Sequence, residues 1–422
     1  MLLAARENVC YVAVWQVLNS RGISLRFRCF DYICLFETLQ EGSPALSGTW
    51  RVGTGEVDKR MIVAILRHRR VFFRAHAYWG DNMIKFGRWA VIPLVAAAAW
   101  CAPAAAQTLL RFNSWLPPKH PIMSQTIRPW TEEVAKLTQN RVKFEFTAQG
   151  MGPPPNQFDM VKDGVADAAI TVHGYTPARF PLMQIGELPF LSNLSEPLSV
   201  GLWRVTQKYF AAKDEHAGTQ LMGLFVSQPA RVWTTRKALK SLPDWDGLKL
   251  AGGAANYLNI ARALGGVGVR APGPQAAEML KRGVVDGVFI DASSFTDFSL
   301  AGTVKHMLDF PKGVSAATFG VFVNKAKWNT ISGADRAAIE KISGEILSRN
   351  AGRNWDREAA KSRENVKAAG VEVTMAEGAY LKALEDKLRY LDEQWIQKAA
   401  AAGVDGKAAL SELKSTVNSY RP

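Results

Sequence analysis

Hydrophobic and polar positions in this chain switch between two rhythms, alternation every second residue and recurrence every third or fourth, and the switches mark out its elements. Thr108 to Leu116 (TLLRFNSWL) is an apolar run closed by Pro117-Pro118 and predicts a buried strand. In MSQTIRPWTEEVAKLTQ the residues Ile127, Trp130, Val134 and Leu137 recur at helical spacing, with Ser124 or Thr126 as N-cap. Arg141 to Gly150 alternates Val142, Phe144 and Phe146, the period of a half-buried strand. NQFDMVKDGVADAAITVHG predicts a short helix stopped at Gly164 and an apolar strand from Ala168 to Val172. That alternation of strand and helix implies a parallel sheet with helices on its faces. Ligands gather at the carboxyl ends of such strands, so Trp115, Gln149 and His173 are expected in one neighbourhood.

The same order returns further on. TQLMGLFVSQPARVWTT holds two strand-like runs, and LKSLPDWDGLKLAGG predicts a loop, a turn at Asp246-Gly247 and a short strand. Ala254 to Gly266 reads as a helix stopped by glycines. A helix from Pro274 to Arg282 then ends at Gly283 before a strand from Gly287 to Ile290, so a second α/β lobe is nested inside the chain. ATFGVFVNKAKWNTIS reads as a returning strand. Residues 333–370 form one long helical pattern, with Ile339, Ile342, Ile346 and Trp355 near one stripe and candidate breaks at Gly344 and Gly352. Residues 378–420 predict two further helices joined at Gly403.

Ahead of all this lies a pattern of another kind. Lys85 and Arg88 precede an uncharged apolar run from Trp89 to Trp100, and Ala104-Ala105-Ala106 follows, the three parts of a cleavable export signal. The run is about a dozen residues, short of the roughly 20 that span a bilayer. Residues 83–106 are therefore expected to be a signal peptide starting at Met83, with Gln107 opening the mature chain. Residues 1–82, Arg-rich and without a sustained period, read as a misassigned upstream extension.

Composition sharpens that picture. The chain of 422 residues carries a formal charge of +14, but 13 basic and 7 acidic residues precede Gln107, so residues 107–422 hold +8. Those charges are scattered, which argues for solubility and against nucleic-acid binding. All four cysteines (Cys10, Cys29, Cys34, Cys101) also precede Gln107, which suits an oxidising compartment in which the core alone supplies stability. No dinucleotide or phosphate loop, nucleophile elbow or paired-histidine metal pattern is present. A secreted hydrolase or lyase is thus the weaker reading, and no catalytic residues, metal or cofactor are expected.

The stretches KDGVADAAI, PARFPLMQIGELPFL, SLPDWDGLKL preceded by an arginine, LKRGVVDG, and the long helix after FVNKAKWNTIS share one order and spacing. Together they resemble the DctP-type solute-binding proteins of tripartite ATP-independent periplasmic (TRAP) transporters, over Leu109 to Tyr420. The resemblance implies a type II-like periplasmic binding fold: two α/β lobes, a cleft between them and a long connecting helix. Lobe I would take residues 107–229, lobe II 230–318, the return to lobe I and the connecting helix 319–360, and the C-terminal helices of 361–422 would pack mainly on lobe II. It also implies a periplasmic monomer that captures a small solute, favoured to be an organic acid, and hands it to membrane permease subunits, or reports it as a sensor.

Family members mostly hold a substrate carboxylate with an arginine that corresponds here to Ala251, so a neutral or amine solute is the alternative. A second family arginine corresponds to Arg231, the candidate for an anionic group, with a structural ion pair as the other reading. Trp115, His173 and Tyr175 stand at strand ends, and Asn256 and Tyr257 open a helix whose backbone N–H groups would favour an anion. Phe289 and Asp291 end the strand after VVDG, where Asp291 is also a ready helix cap. These eight residues form the expected binding site.

Overall fold

The computed structural model describes residues 24–30, 33–39, 107–148 and 150–421. The proposed signal peptide, Gln149 and most of residues 1–82 lie outside them. The chain divides into two compact units, Met1–Ala102 and Pro103–Pro422. In the first unit Ser24–Phe30 and Ile33–Leu39 pair as an antiparallel hairpin.

In the second unit the alternating and apolar runs become two sheets. The first contains β1 (Thr108–Asn113), β2 (Val142–Phe146), β3 (Ala168–Val172), β4 (Thr219–Val226) and a strand from much later in the chain, Thr318–Asn324. Its order is β2-β1-β3, then that late strand, then β4; the first three are parallel and the late strand is antiparallel to both neighbours. α1 (Arg128–Leu137) and α2 (Gln157–Lys162) make the crossovers. α3 (Ser195–Val205) covers the sheet beside β4.

The second sheet is built from β5 (Arg231–Thr234), β6 (Lys249–Gly252), β7 (Val267–Arg270), β8 (Gly287–Ile290) and β9 (His306–Asp309). Its crossovers are α4 (Ala255–Ala263) and α5 (Gly273–Lys281), and α6 (Ala292–Asp297) follows β8. The late strand of the first sheet is β10, and α7 (Lys325–Thr330), α8 (Gly333–Glu340) and α9 (Glu345–Ala368) follow it. β11 (Glu372–Met375) then joins the second sheet, whose order is β11-β9-β5-β8-β6-β7. The chain ends in α10 (Gly378–Leu388), α11 (Tyr390–Ala401) and α12 (Gly406–Ser419).

The passage from β4 to β5 and the passage from β9 to β10 run side by side between the sheets. Ser227 N–H donates to Ala317 O at 2.8 Å, Ala230 N–H to Ser315 O at 2.7 Å, and Ala317 N–H to Ser227 Oγ at 3.0 Å. α9 packs on α3 and β4 of the first lobe and on α6 of the second, so one helix serves both. This is a two-lobed α/β molecule with a long shared helix.

Several local expectations need correcting. Ser124 and Thr126 do not cap the first helix; it starts from His120 and runs as a wider π-type turn over Ile122–Ile127. Pro129, just inside α1, has no N–H to give to residue 125, which favours such a turn. KAKWNT is helical, because the Asn324 side chain accepts from Lys327 N–H at 3.0 Å and caps α7. Gly344, at φ 61°, breaks the long helix and resets its phase, so Ile346 is exposed while Leu347 and Ala351 are buried. Gly352 does not break it; a Cβ there would lie 2.5 Å from Glu196 Cα, and its absence lets α9 touch the start of α3.

The C-terminal helices do not pack mainly on the second lobe. α10 does, with Trp245 Nε1 donating to Tyr380 Oη at 2.9 Å. α11 instead donates from Trp395 Nε1 to Pro181 O at 3.2 Å, and α12 lies on α3. The reason is α3 itself, which is buried on nearly every side and needs cover away from the sheet.

Candidate functional site

Where the lobes face each other, strand ends and the two crossing segments enclose a cavity of about 60 Å³. At roughly 15 Å³ for each water that is space for about four. Its wall is aromatic: Trp115 beyond β1, Tyr175 beyond β3, Tyr257 on α4, Phe289 in β8, Phe319 in β10 and Trp355 on α9. Tyr257 stacks on Phe289 with centroids 5.2 Å apart and an interplanar angle of 8°, and Trp115 meets Tyr175 edge-on at 5.6 Å. Gly253 makes this possible, since a Cβ there would stand 2.4 Å from the Tyr175 ring.

The polar groups are few. The Trp115 indole N–H is buried with no partner among the described residues, an arrangement that costs free energy unless something fills the gap. Tyr175 Oη accepts from Gly273 N–H at 3.3 Å, which leaves its own proton free to donate. Burial raises the Tyr175 and Tyr257 phenols above their usual range, so both stay neutral donors. Asp291 caps α6: Oδ1 accepts from Ser294 N–H at 3.1 Å and Ser293 Oγ at 2.5 Å, and Oδ2 from Ser294 Oγ at 2.9 Å.

His120, also in the wall, accepts from Ile122 N–H at Nδ1 (3.3 Å) and points Nε2 at Asp297 Oδ2, 3.7 Å away. Burial lowers the His120 imidazole to about 4, with the Asp291 charge pulling the other way. Burial likewise pushes the Asp297 carboxyl up to about 7, and Asp291 and Glu358 add to the rise.

Of the eight expected residues, the cavity gathers Trp115, Tyr175, Tyr257, Phe289 and Asp291. The other three turn elsewhere, contrary to expectation, because each has a partner within the protein. His173 is fully buried in the first lobe, with Nδ1 3.3 Å from Thr318 Oγ1 and Nε2 3.1 Å from His216 Nε2, and meets Phe180 and Phe322 edge-on. Asn256 donates to the Glu187 carbonyl at 3.1 Å. The α4 N-terminus that Asn256 opens is already held by a carboxylate of the protein: Glu187 Oε2 accepts from Ala255 N–H at 3.0 Å. Arg231 spans to Asp309 (Nε to Oδ1, 3.1 Å) and donates to Pro229 O at 3.2 Å, so it is the structural ion pair. The Nε contact lies close but off hydrogen-bond alignment.

Ala251 is buried against Trp233 and Val288 and does not reach the cavity. Sequence reasoning missed His120, Ser227 and Ser294. His120 carried one signal, its place between Pro117-Pro118 and a helix start.

A larger cavity, about 560 Å³, opens beside β4 between Trp203, Phe210, Glu215, Leu221 and Gly344. None of the eight residues lines it. Among the described residues no three His, Cys, Asp or Glu side chains converge as metal ligands would, and no helix is long and apolar enough to cross a membrane.

Residues 112–398 match the model of the family described as bacterial extracellular solute-binding protein, family 7 (DctP). A curated relative, the outer membrane transporter protein TsaT of Comamonas testosteroni, is 31% identical over 333 residues, covering 78% of this chain and 97% of its own. A TRAP periplasmic solute-binding protein from Bordetella bronchiseptica, solved with (R)- and (S)-mandelate, is 32% identical with a TM-score of 0.72, over 74% of this chain and 98% of that one. One from Rhodoferax ferrireducens, solved with copurified benzoate, is 26% identical with a TM-score of 0.69, over 74% and 97%. A marine-metagenome protein specific for aromatic acid ligands, solved with 3-hydroxybenzoate, is 28% identical with a TM-score of 0.70, over 75% and 100%.

Proposed function

The chain belongs to family 7 of the bacterial extracellular solute-binding proteins and is a receptor of the TRAP type, and from that premise we propose that its solute is a small aromatic carboxylate. The observation that carries this reading is the aromatic cavity with an unpartnered Trp115 N–H in its wall. The ring would lie against Tyr257 and Phe289, where offset aromatic pairs contribute about 0.5–1.5 kcal/mol beyond area burial. Trp115 N–H and the Tyr175 hydroxyl would serve the carboxylate in place of a guanidinium. Three relatives were solved with aromatic acids, which supports the same class.

The receptor works as a monomer in the periplasm, reached through the signal at residues 83–106, and delivers its solute to TRAP permease subunits. The hydrogen-bonded crossing segments form the hinge. Ser227 and Ala317 belong both to those segments and to the cavity wall, so a solute touching them favours the closed state directly.

A second reading, an aromatic amine, is favoured by Asp291 in the wall and by the lack of Lys or Arg among the described lining residues. Three donors already satisfy Asp291, which weighs against it. A thermal-shift panel of benzoate, mandelate, 3-hydroxybenzoate, aromatic amines, sugar acids and amino acids separates the readings, because a ligand of the folded state raises its midpoint. Stabilisation by the aromatic acids is expected. Stabilisation by amines or sugar acids alone would overturn the proposal.

A further inference from the structure

A carboxylate in this cavity leaves a charge unbalanced. Among the described lining residues it meets no Lys or Arg, and it does meet Asp291. Two like charges sharing a desolvated site force a proton onto one of the groups present. Asp291 is poorly placed to take it, since its oxygens accept from Ser293 Oγ, Ser294 Oγ and Ser294 N–H. The His120–Asp297 pair has that capacity. His120 is buried in the wall with Nε2 3.7 Å from Asp297 Oδ2, longer than a made hydrogen bond, and Asp297 Oδ2 has no donor of its own among the described residues.

We propose that the His120–Asp297 pair takes up one proton from solvent when an aromatic carboxylate enters, so that solute and proton are bound together. This rests on the aromatic-acid reading of the cavity. The proton belongs to the pair: imidazolium with carboxylate and imidazole with carboxylic acid carry the same net charge. The surrounding groups leave the pair alone with this task. Glu358 on α9 is engaged by Lys361 Nζ at 2.7 Å and Gln125 Nε2 at 2.9 Å. Asn365 donates to Thr296 Oγ1 at 3.1 Å, and Lys119, next to His120 in the chain, is exposed.

Burial holds the Asp297 carboxyl up at about 7 and the His120 imidazole down at about 4, so without solute the pair gives up its proton as pH rises through about 7. Below that value the pair already holds its proton and affinity is flat. Above it the proton must be brought in, and affinity falls by up to about tenfold per pH unit.

The test is isothermal titration of the purified protein with benzoate and with mandelate at about pH 8, in phosphate and in Tris, whose ionisation heats differ. A buffer-dependent heat corresponding to uptake of about one proton is expected, together with weakening between about pH 7 and about pH 9. Asp297→Asn, neutral at every pH, is expected to keep the low-pH affinity and lose both effects. Binding with equal heats in the two buffers would overturn the inference and leave the proposed function standing. So would a pH slope that persists in Asp297→Asn. Failure of every aromatic acid to bind would remove both.

Discussion

At the scale of single residues, what a side chain does is set by what it faces more than by where it stands in the sequence. Arg231 follows the crossing segment, near the cavity in the chain, yet its guanidinium is turned to Asp309 on the neighbouring strand. Removing one partner of a buried pair leaves the other charge uncompensated. Arg231→Ala is therefore expected to cost about 3 kcal/mol of stability by chemical denaturation and to leave affinity for aromatic acids within about twofold, a change of about 0.4 kcal/mol. Loss of binding with stability intact would restore Arg231 to the site. His173 gives the same lesson, since it ends β3 as expected but pairs with His216 inside the lobe. Sequence placed His173 at the right strand end and offered the structural ion pair as one of two readings of Arg231; the direction in which each points depends on partners 43 and 78 positions away.

At the scale of elements, strands and turns were legible where glycine, proline or a long apolar run marks them. Ala168–Val172 and Gly287–Ile290 have the bounds their patterns predict. β7, β9 and β11 are four residues each, too short to show a period. α3 escaped because it is buried on nearly every face and has no polar stripe.

The contact between α4 and β10 also went unread, because it runs through Glu187 inside IGELPFL. That carboxyl accepts from Ala255 N–H at 3.0 Å and Thr318 Oγ1 at 3.2 Å, and burial raises it to about 7 against those hydrogen bonds. A carboxyl raised in the folded state stabilises fully below its unfolded value near 4.5, and the contribution is lost as pH rises through about 7. Glu187→Gln should remove that component, so the stability advantage of the native protein over the variant is expected to shrink from about pH 5 to about pH 7 in denaturant titrations. A constant difference would show that Glu187 does not titrate in this window.

At the scale of the whole molecule, two lobes share one helix and one hydrogen-bonded pair of crossings, and the cavity lies against those crossings. The two-lobed plan was legible from the order of strand and helix patterns. Most of the aromatic wall was legible too, because strand ends in parallel sheets converge. His120, Ser227 and Ser294 were not: the hinge brings in Ser227, the capped start of α6 brings in Ser294, and the first helical turn brings in His120, whose one signal was its place after Pro117-Pro118.

The central claim is that an aromatic acid binds between the lobes. The most direct measurement is a crystal structure of the purified protein grown with 3-hydroxybenzoate. The account predicts density for the ring against Tyr257 and Phe289, with the carboxylate within hydrogen-bond distance of Trp115 Nε1. Density only in the larger cavity beside β4, or a carboxylate held by Arg231, would contradict it.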